Sequence, residues 1–326
     1  FAKGHRYDWF PAVSLGWNLA QEPYLKPIAD AAHIEMFKLR GSYGRTGSDK
    51  MKQAFAYKDI YDVVMNYHFG ESAATSANKI GAIAMSYYAN PLMGWETEKK
   101  TDIGIDIQML KGRLSLTADY FYNKRTDILA EREGIVYYAG YYNIFSGASG
   151  TAVKANEVMK ILPYMNIGST ENSGWDGELS WRDKIGKVEY FLRGTFSYAK
   201  NKILFMDEAP SPYTLSMKTG RPIGTIFGYV ADGFYTSYED IANSPYDVRK
   251  GEESLAPGDI KFKDISGPNG APDGLINEYD RVAIGKDVPD LTYGISIGFN
   301  YKNFDFSTLF QGASGASVSV EEMLRL

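Results

Sequence analysis

Thr101-Asp102-Ile103-Gly104-Ile105-Asp106-Ile107-Gln108-Met109 is the stretch that decides the fold. Ile103, Ile105, Ile107 and Met109 alternate with Asp102, Gly104, Asp106 and Gln108, so a β-strand here carries one apolar and one polar face. Lys111-Gly112-Arg113 then reverses the chain. After it, Leu114, Leu116, Ala118, Tyr120 and Tyr122 alternate with Ser115, Thr117, Asp119 and Asn123, with Phe121 intruding on the polar side. The two runs read as an antiparallel hairpin whose strands are about ten residues long, the length a tilted strand needs to cross a bilayer.

The same pattern recurs on both sides of this hairpin. Within Phe10 to Ala20, Val13, Leu15, Trp17 and Leu19 oppose Ser14, Gly16 and Asn18; within Phe37 to Arg45, Phe37, Leu39 and Tyr43 oppose Lys38, Arg40 and Ser42. Downstream, Trp175, Leu179 and Trp181 oppose Asp176, Glu178 and Ser180. A turn expected over Asp183 to Lys187 leads to Val188, Tyr190, Leu192, Phe196 and Tyr198. Leu291 to Tyr301 turns at Lys302-Asn303 into Phe304, Phe306, Thr308 and Phe310. About eight strands are expected on this reading. Their connections alternate between short turns, at 111–113, 183–187 and 302–303, and long irregular stretches, at 46–94, 124–172 and 199–289. Compact soluble domains rarely carry so much loop, whereas outer-membrane barrels combine short periplasmic turns with long extracellular loops. Aromatics near strand ends (Trp17, Tyr43, Tyr120, Tyr122, Trp175, Trp181, Tyr198, Tyr301) suit interfacial girdles against outer-membrane lipid. A soluble β-sandwich would also alternate, but its apolar face would form a core and its loops should be shorter. The expected fold is all-β, part of a large antiparallel transmembrane β-barrel with long extracellular loops, with residues 1–326 as one portion of that barrel.

Composition narrows the chemistry. The 326 residues include 25 Tyr, 17 Phe, 5 Trp and 33 Gly, as strand-rich proteins do. A net charge of -5 gives no basic surface for nucleic acid. With no cysteine, disulfides, thiol catalysis and cysteine-held metals are excluded. No apolar run reaches the roughly 18 residues of a membrane-spanning helix, which a barrel would not show in any case. Gly294-Ile295-Ser296-Ile297-Gly298 spells a hydrolase elbow, yet it lies inside an alternating strand rather than at a strand-to-helix turn. His5, His33 and His68 are scattered, and neither a dinucleotide fingerprint nor a phosphate loop occurs. No enzyme and no catalytic residue are expected. Residue 1 opens mid-pattern, and Val318 to Leu326 lacks a closing aromatic strand, so the chain is expected to be a piece of a longer protein.

Several ordered motifs resemble the SusC/RagA family of TonB-linked outer-membrane proteins. They are Phe10-Pro11-Ala12-Val13-Ser14-Leu15-Gly16-Trp17, Leu39-Arg40-Gly41-Ser42-Tyr43-Gly44-Arg45-Thr46-Gly47, Asn90-Pro91 leading to Trp95-Glu96, and Arg113 to Tyr120. Pro257 to Asp264 and Asp280-Arg281 through Ile284-Gly285 complete the set. The resemblance implies a bacterial outer-membrane barrel of about 22 strands when complete. It also implies TonB-driven import of oligosaccharides or peptides, and a SusD-like surface lipoprotein that closes over the barrel. In the family a plug domain and TonB box precede the barrel, and both are expected to lie outside this chain. Two rival expectations are a barrel of this family acting as a structural or docking subunit of an envelope complex, and a soluble carbohydrate-binding β-domain.

Two sets of residues are candidates for binding. Tyr137, Tyr138, Tyr141 and Tyr142 fall in a long loop, where aromatic faces stack on sugars or pack against peptides; packing the loop, or meeting a lid protein, would use them equally well. Asp273-Gly274-Leu275-Ile276-Asn277-Glu278-Tyr279-Asp280 matches the second part of an EF-hand-type loop, with Asp264 set apart by the insertion Ile265 to Pro272. Oxygens of Asp264, Asp273, Asn277 and Asp280 suit a hard cation such as Ca²⁺, or equally an Asx-type turn stabilised by its own backbone. Lys38, Arg40, Asp102, Asp106, Asp119, Glu178, Glu189 and Arg193 are expected on the inward polar face, lining a lumen or meeting a plug.

Overall fold

The computed structural model describes residues 1–50, 55–68, 79–87, 89–130, 164–251 and 254–318, with backbone alone for 62–68 and 79–87. In chain order its strands are β1 (Ala12–Asn18), β2 (Ile34–Ser48), β3 (Ile60–His68), β4 (Lys79–Tyr87), β5 (Glu96–Met109), β6 (Leu114–Ala130), β7 (Met165–Ile185) and β8 (Val188–Phe205). Six short strands follow: β9 (Thr225–Gly228), β10 (Ala231–Phe234), β11 (Tyr246–Asp247), β12 (Ile260–Phe262), β13 (Leu275–Ile276) and β14 (Val282–Lys286). β15 (Leu291–Tyr301) and β16 (Phe304–Ser314) complete the set. Eight of these strands form one sheet in the order β1-β2-β5-β6-β7-β8-β15-β16, antiparallel throughout.

Register turns eight local patterns into one wall. Trp17 lies opposite Leu39, Leu39 opposite Ile105, Ile105 opposite Ala118, and Ala118 opposite Gly177. Gly177 then faces Phe196, Phe196 faces Tyr293, and Tyr293 faces Gly312. Directly opposed residues share a face, so the apolar sets merge into one continuous surface and the polar sets into the other. That apolar surface is open: Leu15 is 78% exposed, Ile103 59%, Trp175 54% and Phe310 61%. A sandwich would bury these side chains under a second sheet. Among the described residues, the buried apolar side chains are instead a few outside this surface, such as Ala20, Met93, Tyr235 and Leu255. An apolar face turned outward over eight strands fits a lipid-facing barrel wall. No helix of the described residues is long and apolar enough to cross a membrane; the crossings here are strands.

Phe121, the intruder on the polar side, has a local explanation. It pairs with Gly174, where an added Cβ would lie 2.6 Å from the Phe121 ring, so the glycine leaves the space the ring occupies. Phe191 lies over Gly298 in the same way. An aromatic ring thus covers a backbone that its glycine partner leaves bare.

The connections segregate by end. Leu110–Arg113, Gly186-Lys187 and Lys302-Asn303 close hairpins at one end, with Lys111, Gly112, Gly186 and Lys302 in the left-handed region that tight reversals need. The turn expected over Asp183 to Lys187 is shorter than that, because β7 continues to Ile185. Residues 19–33 join β1 to β2 at this same end. They form a short 3-10 turn (Leu19–Gln21) and helix α1 (Lys26–Ala31), in a connection about as long as the one the sequence pattern left between its first two strands. At the opposite end the strands run beyond the expected length. β6 reaches Ala130, β7 begins at Met165 and β8 reaches Phe205, so parts of the 124–172 and 199–289 stretches are strand rather than irregular loop. Alternation weakens there because the strands have left the lipid, and both faces can be polar.

Candidate functional site: the polar face of the wall and its loop unit

Register places all eight expected inward residues on the polar face. Arg40 lies opposite Gly104, Gly104 opposite Asp119, and Asp119 opposite Asp176; Lys38 lies opposite Asp106, and Glu178 opposite Thr195. Arg40 is the hub. Its Nε donates to Asp106 at 2.7 Å and its Nη2 to Asp119 at 3.1 Å, so one guanidinium ties β2, β5 and β6 together. The Thr117 hydroxyl donates to Asp106 at 3.2 Å. Gly104 makes this possible, since a Cβ there would fall 1.9 Å from Asp119 Oδ1 and 2.9 Å from Arg40 Nη2. Nearer the short turns Arg193 pairs with Glu178, and Lys184 with Glu189 at 2.8 Å. Higher up, Glu96 accepts from Arg125 and from the Leu129 N–H. The result is a wall of matched charges that presents hydrogen-bonding groups to whatever lies inside.

Residues 206–290 form a folded unit on the long-loop end. β8 holds it through Ile203, whose N–H donates to the Arg221 carbonyl at 2.9 Å and whose carbonyl accepts from Gly220 at 2.8 Å. At its other end the Asp290 N–H donates to the Ser314 carbonyl at 3.0 Å. β14 pairs with β9, β10 with β12, and β11 with β13, the last pair parallel. Tyr235, Ile241 (in helix α2, Tyr238–Ala242) and Leu255 make a small core. Asp247, almost fully buried, accepts from Arg249 Nε at 2.9 Å and Nη2 at 2.6 Å. The same guanidinium lies 3.8 Å from the Tyr229 ring centre and 4.7 Å from that of Phe262, so its charge is neutralised on its edge and covered on its faces. Burial raises the Glu208 carboxyl, but the Thr219 hydroxyl and the N–H groups of Lys218 and Thr219 outweigh that and hold it below its ordinary range. None of these locks was visible in the sequence; Asp247-Val248-Arg249 alone hinted at a local pair.

The candidate binding residues divide. Tyr137, Tyr138, Tyr141 and Tyr142 lie outside the described residues. In the acidic loop, Asp264 accepts from the N–H groups of Asp273 (3.3 Å) and Gly274 (2.6 Å), and Asp273 accepts from that of Leu275 (3.1 Å). Asp280, fully buried, accepts from Ile265 (2.7 Å), Ser266 (3.1 Å) and Asn277 (2.8 Å), while Asn277 caps Tyr279 at 2.8 Å. These oxygens serve backbone donors, the Asx-turn arrangement. Among the described residues no three His, Asp or Glu side chains gather closely enough to hold a metal ion. As arranged, the loop is held by its own backbone donors.

Residues 2–320 match the family described as "TonB dependent receptor-like, beta-barrel". TonB-dependent receptor P3 of Formosa agariphila is 28% identical over all of this chain and 30% of its own length. TonB-dependent receptor SusC of Bacteroides thetaiotaomicron is 27% identical over 94% of this chain and 27% of its own. The chain therefore spans under a third of the curated relatives it matches. The solved RagAB peptide transporter superposes with a TM-score of 0.68 at 16% identity, covering 97% of this chain and 30% of that one, which supports the fold. With its two-faced wall, short turns at one end and SusC among its relatives, the chain is a SusC/RagA-type outer-membrane barrel segment and belongs to the TonB-dependent receptor-like β-barrel family.

Proposed function

We propose that this chain forms part of the wall of a plugged outer-membrane barrel that imports oligosaccharides or peptides, energised through TonB and capped by a SusD-like surface lipoprotein. The observation that carries the reading is the wall itself. A continuous apolar face meets lipid, while a polar face of both charge signs, with Arg40 bridging three strands, suits a lumen occupied by a plug and passing solute. A soluble sugar-binding domain would have buried the apolar face. The RagAB neighbour is a peptide transporter, which supports peptides as cargo, while oligosaccharides rest on the SusC/RagA resemblance.

The test is a pull-down of the intact protein from detergent-solubilised outer membranes, followed by uptake of labelled oligosaccharides and peptides with and without TonB. A stoichiometric SusD-like lipoprotein and TonB-dependent uptake support import. Envelope-assembly proteins in its place, with no uptake, point to a docking subunit instead.

A further inference from the structure

Near the long-loop edge of the apolar face, register assembles a row that no local stretch of sequence shows. Arg45 lies opposite Lys99, Lys99 opposite Lys124, Lys124 opposite Glu171, and Glu171 opposite Lys202. Lys99 shares its face with Ile103 and Ile105, and Lys124 with Tyr122 and Tyr120, so the row stands on the outward face. Both lysines are exposed. Lys99 and Lys124, like charges directly opposed on neighbouring strands, repel; Glu171 opposite Lys124 offsets that charge in part, whereas Lys99 stands between Lys124 and Arg45. Glu171 accepts from the Tyr122 hydroxyl at 3.1 Å, Arg45 is paired with Asp8 at 2.7 Å, and neither lysine has an ion pair or hydrogen bond among the described residues.

The height of the row identifies what could relieve it. Lys99 precedes Met109, at the short-turn end, by ten positions, and Lys124 follows Leu114 by ten. At about 3.3 Å per residue and a tilt near 40°, the two ammonium-bearing positions stand about 25 Å above that end, the height of a barrel's apolar band. One step below the row are Tyr43, Thr101 and Tyr122, with Tyr residues where the membrane–water interface favours them. We propose that Lys99 and Lys124 bind the phosphate of an anionic lipid headgroup in the leaflet at the long-loop end, with Arg45 beside Lys99 and with Glu171, beyond Lys124, engaged by the Tyr122 hydroxyl. A lysine stem can lie along the apolar band while its ammonium reaches the headgroup layer. A protein partner at this height would have to sit within the membrane, so the lipid is the occupant the geometry favours.

Native mass spectrometry of the full-length protein, released from nanodiscs of phosphatidylcholine containing phosphatidylglycerol, tests this. Wild type should retain phosphatidylglycerol preferentially, and the retention should fall with salt. The K99Q/K124Q variant should lose about tenfold of that preference, whereas K99R/K124R and K302Q, the last at the short-turn end, should keep it. Heat-modifiable migration on gels checks that each variant has folded, and the salt dependence of wild type carries the test if K99Q/K124Q has not. Equal retention by wild type and folded K99Q/K124Q overturns the proposal, as does salt-insensitive retention. Loss of a co-purifying protein with lipid retention unchanged would assign the row to a protein interface and overturn it too.

Discussion

Replacing Arg40 by methionine isolates what the polar face contributes. The guanidinium spans Asp106 and Asp119, side chains that are each 19% exposed while Arg40 is 30% exposed. Exposed pairs contribute up to about 1 kcal/mol, and stranding a fully buried charge costs about 3–5 kcal/mol. At intermediate burial, and with two carboxylates left facing each other across β5 and β6, the expected loss is about 2 kcal/mol. Most of that is the penalty of unpaired charge rather than the worth of the pair. R40M/D106N/D119N, with no charge left, should therefore recover at least half of the loss. The assay is the urea midpoint for unfolding of the full-length protein from detergent or lipid, followed by heat-modifiable migration. The reasoning fails if R40M is neutral, or if the triple variant is no more stable than R40M.

Gly104→Ala should mimic part of R40M, because its Cβ would displace the Asp119 carboxylate; an unchanged urea midpoint would show that the carboxylate can move at little cost. Ile295→Arg, mid-strand on the lipid face, should cost about 2–4 kcal/mol, whereas Thr195→Arg, on the polar face opposite Glu178, should be tolerated, which compared urea midpoints would separate. Because Glu208 is held below its ordinary range, its contribution is full above the ordinary carboxylate range and lost as pH falls through its depressed value. Hydrogen exchange at Lys218 and Thr219 should therefore speed up in acid beyond the intrinsic change, and E208Q should weaken that dependence. Asp280→Asn should loosen the 264–280 loop to protease by leaving buried N–H groups short of acceptors, while added Ca²⁺ should leave wild-type cleavage unchanged. Protection by Ca²⁺ would instead show that the loop rearranges to take the ion.

The strands were legible because alternation has a period of two and needs no partner to be seen. Thr101 to Met109 could be read from its own residues, and the short turns followed from where the alternation stopped. Strand ends beyond the lipid were not legible. From Glu96 to Lys100 and from Asn123 to Asp127, polar residues occupy both faces and the pattern fades. The acidic loop was ambiguous in another way. Oxygen-rich spacing is shared by cation sites and Asx turns, and only the positions of the backbone N–H groups separate them.

What the sequence alone determined was each strand's two faces, the alternation of short and long connections, and the family resemblance, all carried by neighbours along the chain. What only the tertiary structure decided was adjacency across strands. Arg40 meets Asp106 and Asp119 from 66 and 79 residues away. Lys99 meets Lys124 because the reversal at Leu110–Arg113 sets that hairpin's register, and Arg249 finds Tyr229 and Phe262 inside a loop unit with no repeating pattern. The physical reason is that register belongs to the whole sheet. A one-residue slip leaves every local propensity unchanged but turns the slipped strand's lipid face inward, so the burial of all eight strands together fixes which charges meet.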